Sequence, residues 1–174
     1  MNIIEIILNA LKLILSADTL LYEIIFLSLK VSFIALFISS LFAIIVGYTL
    51  ALKNFYLKNF LLILFNSLMG IPPVVVGLIV YFFFANGGPL GVFQLLYTPT
   101  AMVIAQILII FPIVASLSHE IFLQNWQQYK DHIRSLNIPF FGVIKIFTIH
   151  SYFLLITVLL SAFGRAISEV GAVM

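Results

Sequence analysis

Residues 124–150 read QNWQQYKDHIRSLNIPFFGVIKIFTIH and hold most of the polar groups that lie far from the ends of an otherwise apolar chain. Asn125 can cap a helix with its side-chain oxygen, and Gln128 three residues on can reach back to it, the pattern of a capping box. Trp126, Tyr129, Ile133 and Leu136 then recur at spacings of three and four, while Gln127, Gln128, Lys130, Asp131, Arg134 and Ser135 fall elsewhere around the axis. The spacing predicts a short amphipathic helix of its own. Asn137 stands where the chain must leave it, in a position that favours the left-handed conformation, and Pro139 prevents continuation. Such a helix lies on lipid headgroups or presents Trp126 and Tyr129 as anchors to a groove on another protein.

Outward from this stretch the chain is oily. Of 174 residues 64% are hydrophobic and 8% charged, and the mean hydropathy is +1.27. These values lie outside the range of soluble domains and predict an integral membrane protein, a single transmembrane domain over residues 1–174 with its polar loop at about 120–146. Roughly 20 apolar residues cross a bilayer, and within lipid they must be helical because each backbone group needs a partner inside the segment. Four stretches meet that rule, so the fold class is all-α, a polytopic helical bundle. The absence of cysteine excludes disulfides and thiolate metal sites. The net charge of +2 does not point to nucleic acid, because the charges sit beside the spans.

Residues 2–16 carry polar side chains at Asn2, Glu5, Asn9, Lys12 and Ser16, a stripe that predicts an N-terminal amphipathic helix. It is not read as a signal peptide, since a basic start is missing and Glu5 interrupts the apolar run. The first span is expected from about Tyr22 to Leu50, with Lys30 able to snorkel. The second, about Leu57 to Phe84, is interrupted by Gly70-Ile71-Pro72-Pro73. Irregular backbone at membrane depth survives only against protein or a wet cavity, so Pro72 and Pro73 mark either a candidate translocation path or a packed kink.

Asn86-Gly87-Gly88-Pro89 is turn chemistry. A third span from about Thr100 to Leu117 contains Gln106, a candidate path-lining amide or a helix-to-helix hydrogen bond. A fourth begins near Phe147 and carries Arg165 and Glu169 four residues apart, either a functional pair at the path or a mutually neutralised one. With Lys53, Lys58, Lys130, Arg134 and Lys145 inside and Lys12, Lys30 and Arg165 outside, five basic residues against three favour an outside N-terminus and a cytoplasmic polar loop.

The loop also carries a resemblance. Asp131-His132-Ile133-Arg134-Ser135-Leu136-Asn137, nine residues, then Phe147-Thr148-Ile149-His150 resembles the EAA motif of ABC importer permeases, with Asp for Glu, His and Ile for the alanines, Asn for Gly and a final His for Pro. Gly70-Ile71-Pro72-Pro73-Val74-Val75-Val76-Gly77-Leu78, the segment from Gly88 to Gln106, and Phe163 to Ala172 resemble the tungstate branch of those permeases, with the molybdate permeases as near relatives.

The resemblance implies a type I importer permease that binds no cofactor and works as a homodimer in the lipid membrane of a bacterium or archaeon, with two ATP-binding subunits and an extracytoplasmic oxyanion-binding protein. It makes Trp126, Tyr129, Asp131, Ile133, Leu136 and Asn137 the coupling helix, and places Pro72, Pro73, Arg165 and Glu169 beside the path, for which Gln106 is the candidate amide read from the third span. It further implies a span after Ala172. With the sequence ending at Met174, the expectation is four spans plus the amphipathic helix, lacking the last span.

No Gly-x4-Gly-Lys-Ser/Thr phosphate loop occurs, so energy is expected from a partner, and neither Gly-x-Ser-x-Gly nor His-Glu-x-x-His supports an intramembrane enzyme. The alternatives kept open are molybdate or sulfate as cargo and a non-transporting membrane scaffold.

Overall fold

A computed structural model describes residues 19–173, so the expected amphipathic helix over residues 2–16 lies outside the described residues. The described chain is all-α: α1 Thr19–Leu52, α2 Lys58–Met69, α3 Pro73–Phe84, a single 3-10 turn at Gly91–Phe93, α4 Pro99–Ser135, α5 Phe140–His150 and α6 Tyr152–Val173. At 1.5 Å per residue, α1 is about 51 Å long and α4 about 55 Å, well beyond the roughly 30 Å of bilayer hydrocarbon. Helices α1, α4 and α6 are long and apolar enough to cross a membrane, and α2 with α3 makes a fourth candidate crossing.

The bundle is built on α1 against α4, its most extensive helix pair. Every fourth residue of α1 from Ala35 is small (Ala35, Ser39, Ala43, Gly47, Ala51), and all five are buried. Without water to drive apolar faces together, helices in lipid associate through close backbone approach, which small residues permit. Approach is closest at Gly47, where an added Cβ would lie 2.7 Å from the Ala115 carbonyl oxygen and 2.9 Å from the His119 nitrogen. Ile109, Ile110, Ile113, Val114 and Ala115 of α4 join Ala35 and Ala43 in one core, which Val158, Ala162 and Ala166 of α6 complete.

Gln106 bonds Ala166 and Asn125 bonds Ser151, so α6 runs antiparallel to α4. Phe33 meets Phe163 of α6 at 4.6 Å near one end and Tyr48 meets Phe122 at 5.5 Å toward the other, so α1 is antiparallel to α6 and parallel to α4. A parallel pair requires the chain between them to return the full length of the bundle, and α2, α3 and the turn beyond them carry it.

The second crossing breaks where the sequence places the break. α2 ends at Met69 and α3 starts at Pro73, with 105° between their axes. Pro73 takes the first helical position, where its missing N–H would have had no partner, and Pro72 is extended at φ −60°, ψ 132°. The Gly70 and Ile71 nitrogens donate to the Ser67 and Leu68 carbonyls, closing α2. Beyond α3 the chain turns so tightly that a Cβ on Gly88 would lie 2.2 Å from the Phe82 carbonyl oxygen, and Thr98 caps α4 by accepting from the Ala101 nitrogen.

Two expectations are corrected. The polar stretch does not begin a helix of its own: α4 continues unbroken from Pro99 through Asn125 to Ser135, and Asn125 is a buried mid-helix residue. Its amide nitrogen donates to the Ser151 hydroxyl at 2.6 Å, which satisfies in tertiary structure the side chain read as a cap. The fourth span starts at Tyr152, not near Phe147, because residues 140–150 form the separate helix α5.

Candidate functional site

One end of the bundle collects the basic residues. Here the last turns of α1 and α4 and the start of α5 enclose a core of Tyr48, Ala51, Phe122, Ile133, Val143, Phe147 and Leu155. Tyr48 is fully buried and donates its hydroxyl to the Phe140 carbonyl oxygen at 3.0 Å, tying α1 to α5. Its ring meets Phe122 and Phe140 edge-on at 5.5 and 4.9 Å. The expected exit is present: Leu136 closes α4, Asn137 adopts φ 53° in the left-handed region, and Pro139 precedes α5.

The apolar face of this end of α4 points into its own chain. Trp126 and Tyr129 are half-buried against that core, and Ile133 is 7% exposed within it. Trp126 lies under the Arg134 guanidinium at 5.8 Å, and Tyr129 meets the His150 ring edge-on at 5.4 Å. Trp126 and Tyr129 thus pack in part against α1 and α5 of their own chain. What faces outward is Asp131, Asn137 and Leu136, the last 70% exposed, with Gln127, Gln128 and Lys130 beside them.

Toward the opposite end of the bundle, Gln106 is 1% exposed; its amide nitrogen donates to the Ala166 carbonyl at 3.0 Å while its oxygen finds no protein partner. Arg165, adjacent to Ala166, pairs with Glu169 at 3.3 Å, the single ion pair among the described residues. Gln106 thus bonds the backbone of the residue next to Arg165 at the α4–α6 contact. Pro72 is exposed and Pro73 buried at the break.

Sequence reasoning missed the groove of about 320 Å³ between α4 and α6 lined by Glu120, Gln124, Thr157 and Ser161. It also missed the buried hydroxyls of Ser32, Ser39, Ser116 and Ser118 along the α1–α4 contact. The recurrence of small and polar residues every four positions was the available signal.

The chain is 39% identical over 165 residues, 95% of its own length and 72% of the relative's, to the tungstate uptake system permease protein of Peptoclostridium acidaminophilum. The chain belongs to the tungstate and anion ABC permease family. This permease is also 33% identical to the "Probable anion ABC transporter permease protein" of Haloferax volcanii, over 80% of its length and 60% of that protein's. With the tungstate uptake system permease protein of Campylobacter jejuni it shares 31% identity over 70% of its length and 51% of the relative's. It therefore spans between about half and three quarters of these relatives. No protein-family model matches the chain. Family membership and the long apolar helices make it a multi-pass membrane permease subunit.

Proposed function

We propose that this permease carries a tetrahedral oxyanion inward, tungstate ahead of molybdate or sulfate, as a homodimer driven by two ATP-binding subunits and supplied by an extracytoplasmic binding protein. The support for the cargo is the 39% identity over 95% of the chain to a permease whose name states tungstate uptake. The support for the mechanism is one geometric feature: α4 runs without interruption from the outer turn at Pro99 to the polar end at Ser135. A push on that end, on the cytoplasmic side by the basic-residue count, reaches Gln106 along one continuous helix that contains Pro112, rather than across a loop.

In this reading Asp131, Leu136 and Asn137 meet the ATP-binding subunit, while Trp126, Tyr129 and Ile133 fix that helix to α1 and α5. Pro72, Pro73, Gln106, Arg165 and Glu169 border the path. A dianion entering low dielectric needs hydrogen-bond donors in place of water, and the start of α3 and the Arg165 guanidinium are available donors. The scaffold alternative has no use for a span broken by 105°. Co-purification of the permease with the ATP-binding subunit tests the docking surface. Leu136→Asp is expected to abolish association while the permease stays folded, and unchanged association refutes the assignment. Tungstate uptake into proteoliposomes holding all three components tests the cargo.

A further inference from the structure

At the basic end, beside the outward docking face, α1, α4 and α5 leave a cleft of about 410 Å³ whose lining includes Tyr48, Lys53, Trp126, Ile133, Arg134 and Phe140. Two features separate it from an ordinary packing gap. First, it holds two cations without counter-charge: no Asp or Glu lines it among the described residues, and neither Lys53 nor Arg134 takes part in an ion pair there. Second, both cations are held over rings, the Lys53 ammonium 4.6 Å from Phe140 and the Arg134 guanidinium 5.8 Å from Trp126. Cation–π contact restrains two side chains that would otherwise wave in solvent, so their charges are preorganised on one opening.

The remaining walls are apolar, from Leu52, Ile138 and Val143. The cleft sits at the last turn of α1, a helix long and apolar enough to cross a membrane, and amphipathic rings collect where such helices meet the headgroup layer. We propose that this cleft binds a phosphate group through Lys53 and Arg134, with the apolar wall accommodating the chain of an anionic phospholipid. Basic residues at the cytoplasmic surface attract such lipids. Free inorganic phosphate presents the same chemistry without the chain.

The permease carries its own reporter, since Trp126 is the sole tryptophan and lines the cleft. Purified permease is titrated with phosphatidylglycerol, phosphatidylcholine or sodium phosphate while Trp126 emission is followed. A saturable change with phosphatidylglycerol but not phosphatidylcholine identifies the lipid; a saturable change with inorganic phosphate identifies the free anion. In either case Lys53→Gln and Arg134→Gln each weaken binding by about fivefold, Lys53→Arg restores it, and Lys145→Gln, outside the cleft, leaves it unchanged. Retention of phosphatidylglycerol by native mass spectrometry gives a second measure that does not depend on the fluorophore. No saturable response to either phosphate source, or a response indifferent to both charge removals, overturns the proposal.

Discussion

Gly47→Ala measures how tightly α1 and α4 are fitted. The added Cβ would sit 2.7 Å from the Ala115 carbonyl oxygen and 2.9 Å from the His119 nitrogen, both backbone atoms that cannot swing aside. To reach the 3.4 Å at which ordinary contact begins, α1 must retreat by about 0.7 Å. A gap of that size forfeits roughly a quarter to a half of each dispersion contact it opens, and overpacking of this kind costs about 1–3 kcal/mol. Alanine also favours the helix over glycine by about 1 kcal/mol, which would blur the result. Gly164→Ala removes that ambiguity, because a Cβ there meets nothing within 4 Å and the propensity change is the same. The difference between the two variants therefore isolates the steric term. For a chain of this size about 2 kcal/mol corresponds to roughly 4–8 °C. Thermal unfolding of both variants in detergent, followed by Trp126 emission, should show Gly47→Ala melting below Gly164→Ala by that margin, with Gly164→Ala at or above the parent. Equal melting temperatures would mean the backbones are not in contact at Gly47.

Removing the Asn125–Ser151 hydrogen bond should destabilise the α4–α6 contact. In a double-mutant cycle, Asn125→Ala with Ser151→Ala should give a coupling of about 0.6–1.7 kcal/mol, and additive effects would show that the bond carries no energy. Trp126→Asp should lower the melting temperature, since its ring packs inward, whereas Leu136→Asp should leave it unchanged; the reverse order would place the apolar face outward. Pro72→Leu with Pro73→Leu lets α2 run into α3, so uptake should fall several-fold with membrane insertion intact, and full uptake in that variant removes the break from the path. Lys130 should react with membrane-impermeant amine reagents in inverted vesicles and not in intact cells; labelling from the cell exterior would invert the topology.

Much of the architecture was legible because it follows from composition. Long apolar runs in lipid can only be helices, and two adjacent prolines in such a run can only interrupt it. The misreadings share a cause: local signals were read where a distant partner decided. Asn125 has the chemistry of a cap, but no Gly or Pro occurs between Ile113 and Ile138 to stop the helix before it, and Ser151 occupies its amide. Trp126 and Tyr129 define an apolar face, but periodicity cannot say whether that face meets another chain or α5 of the same one. The recurrence of Ala35, Ser39, Ala43, Gly47 and Ala51 is visible in the sequence, and it fixes the main contact of the bundle. Gln106 was identified as a polar group at depth, but its partner, the Ala166 carbonyl, offers no side-chain signal to a reader of sequence.

That recurrence also limits how the molecule can move. Sliding α1 by one position along α4 would exchange the small row for Ile34, Ile38, Phe42, Val46 and Leu50, side chains too large for a seam where a single methyl already collides. The two longest helices are thus keyed against a one-position slip, and the register in which small residues meet the seam again lies a full turn away. The elbow at residues 70–73 and the lighter arm that hangs from it lie outside that seam.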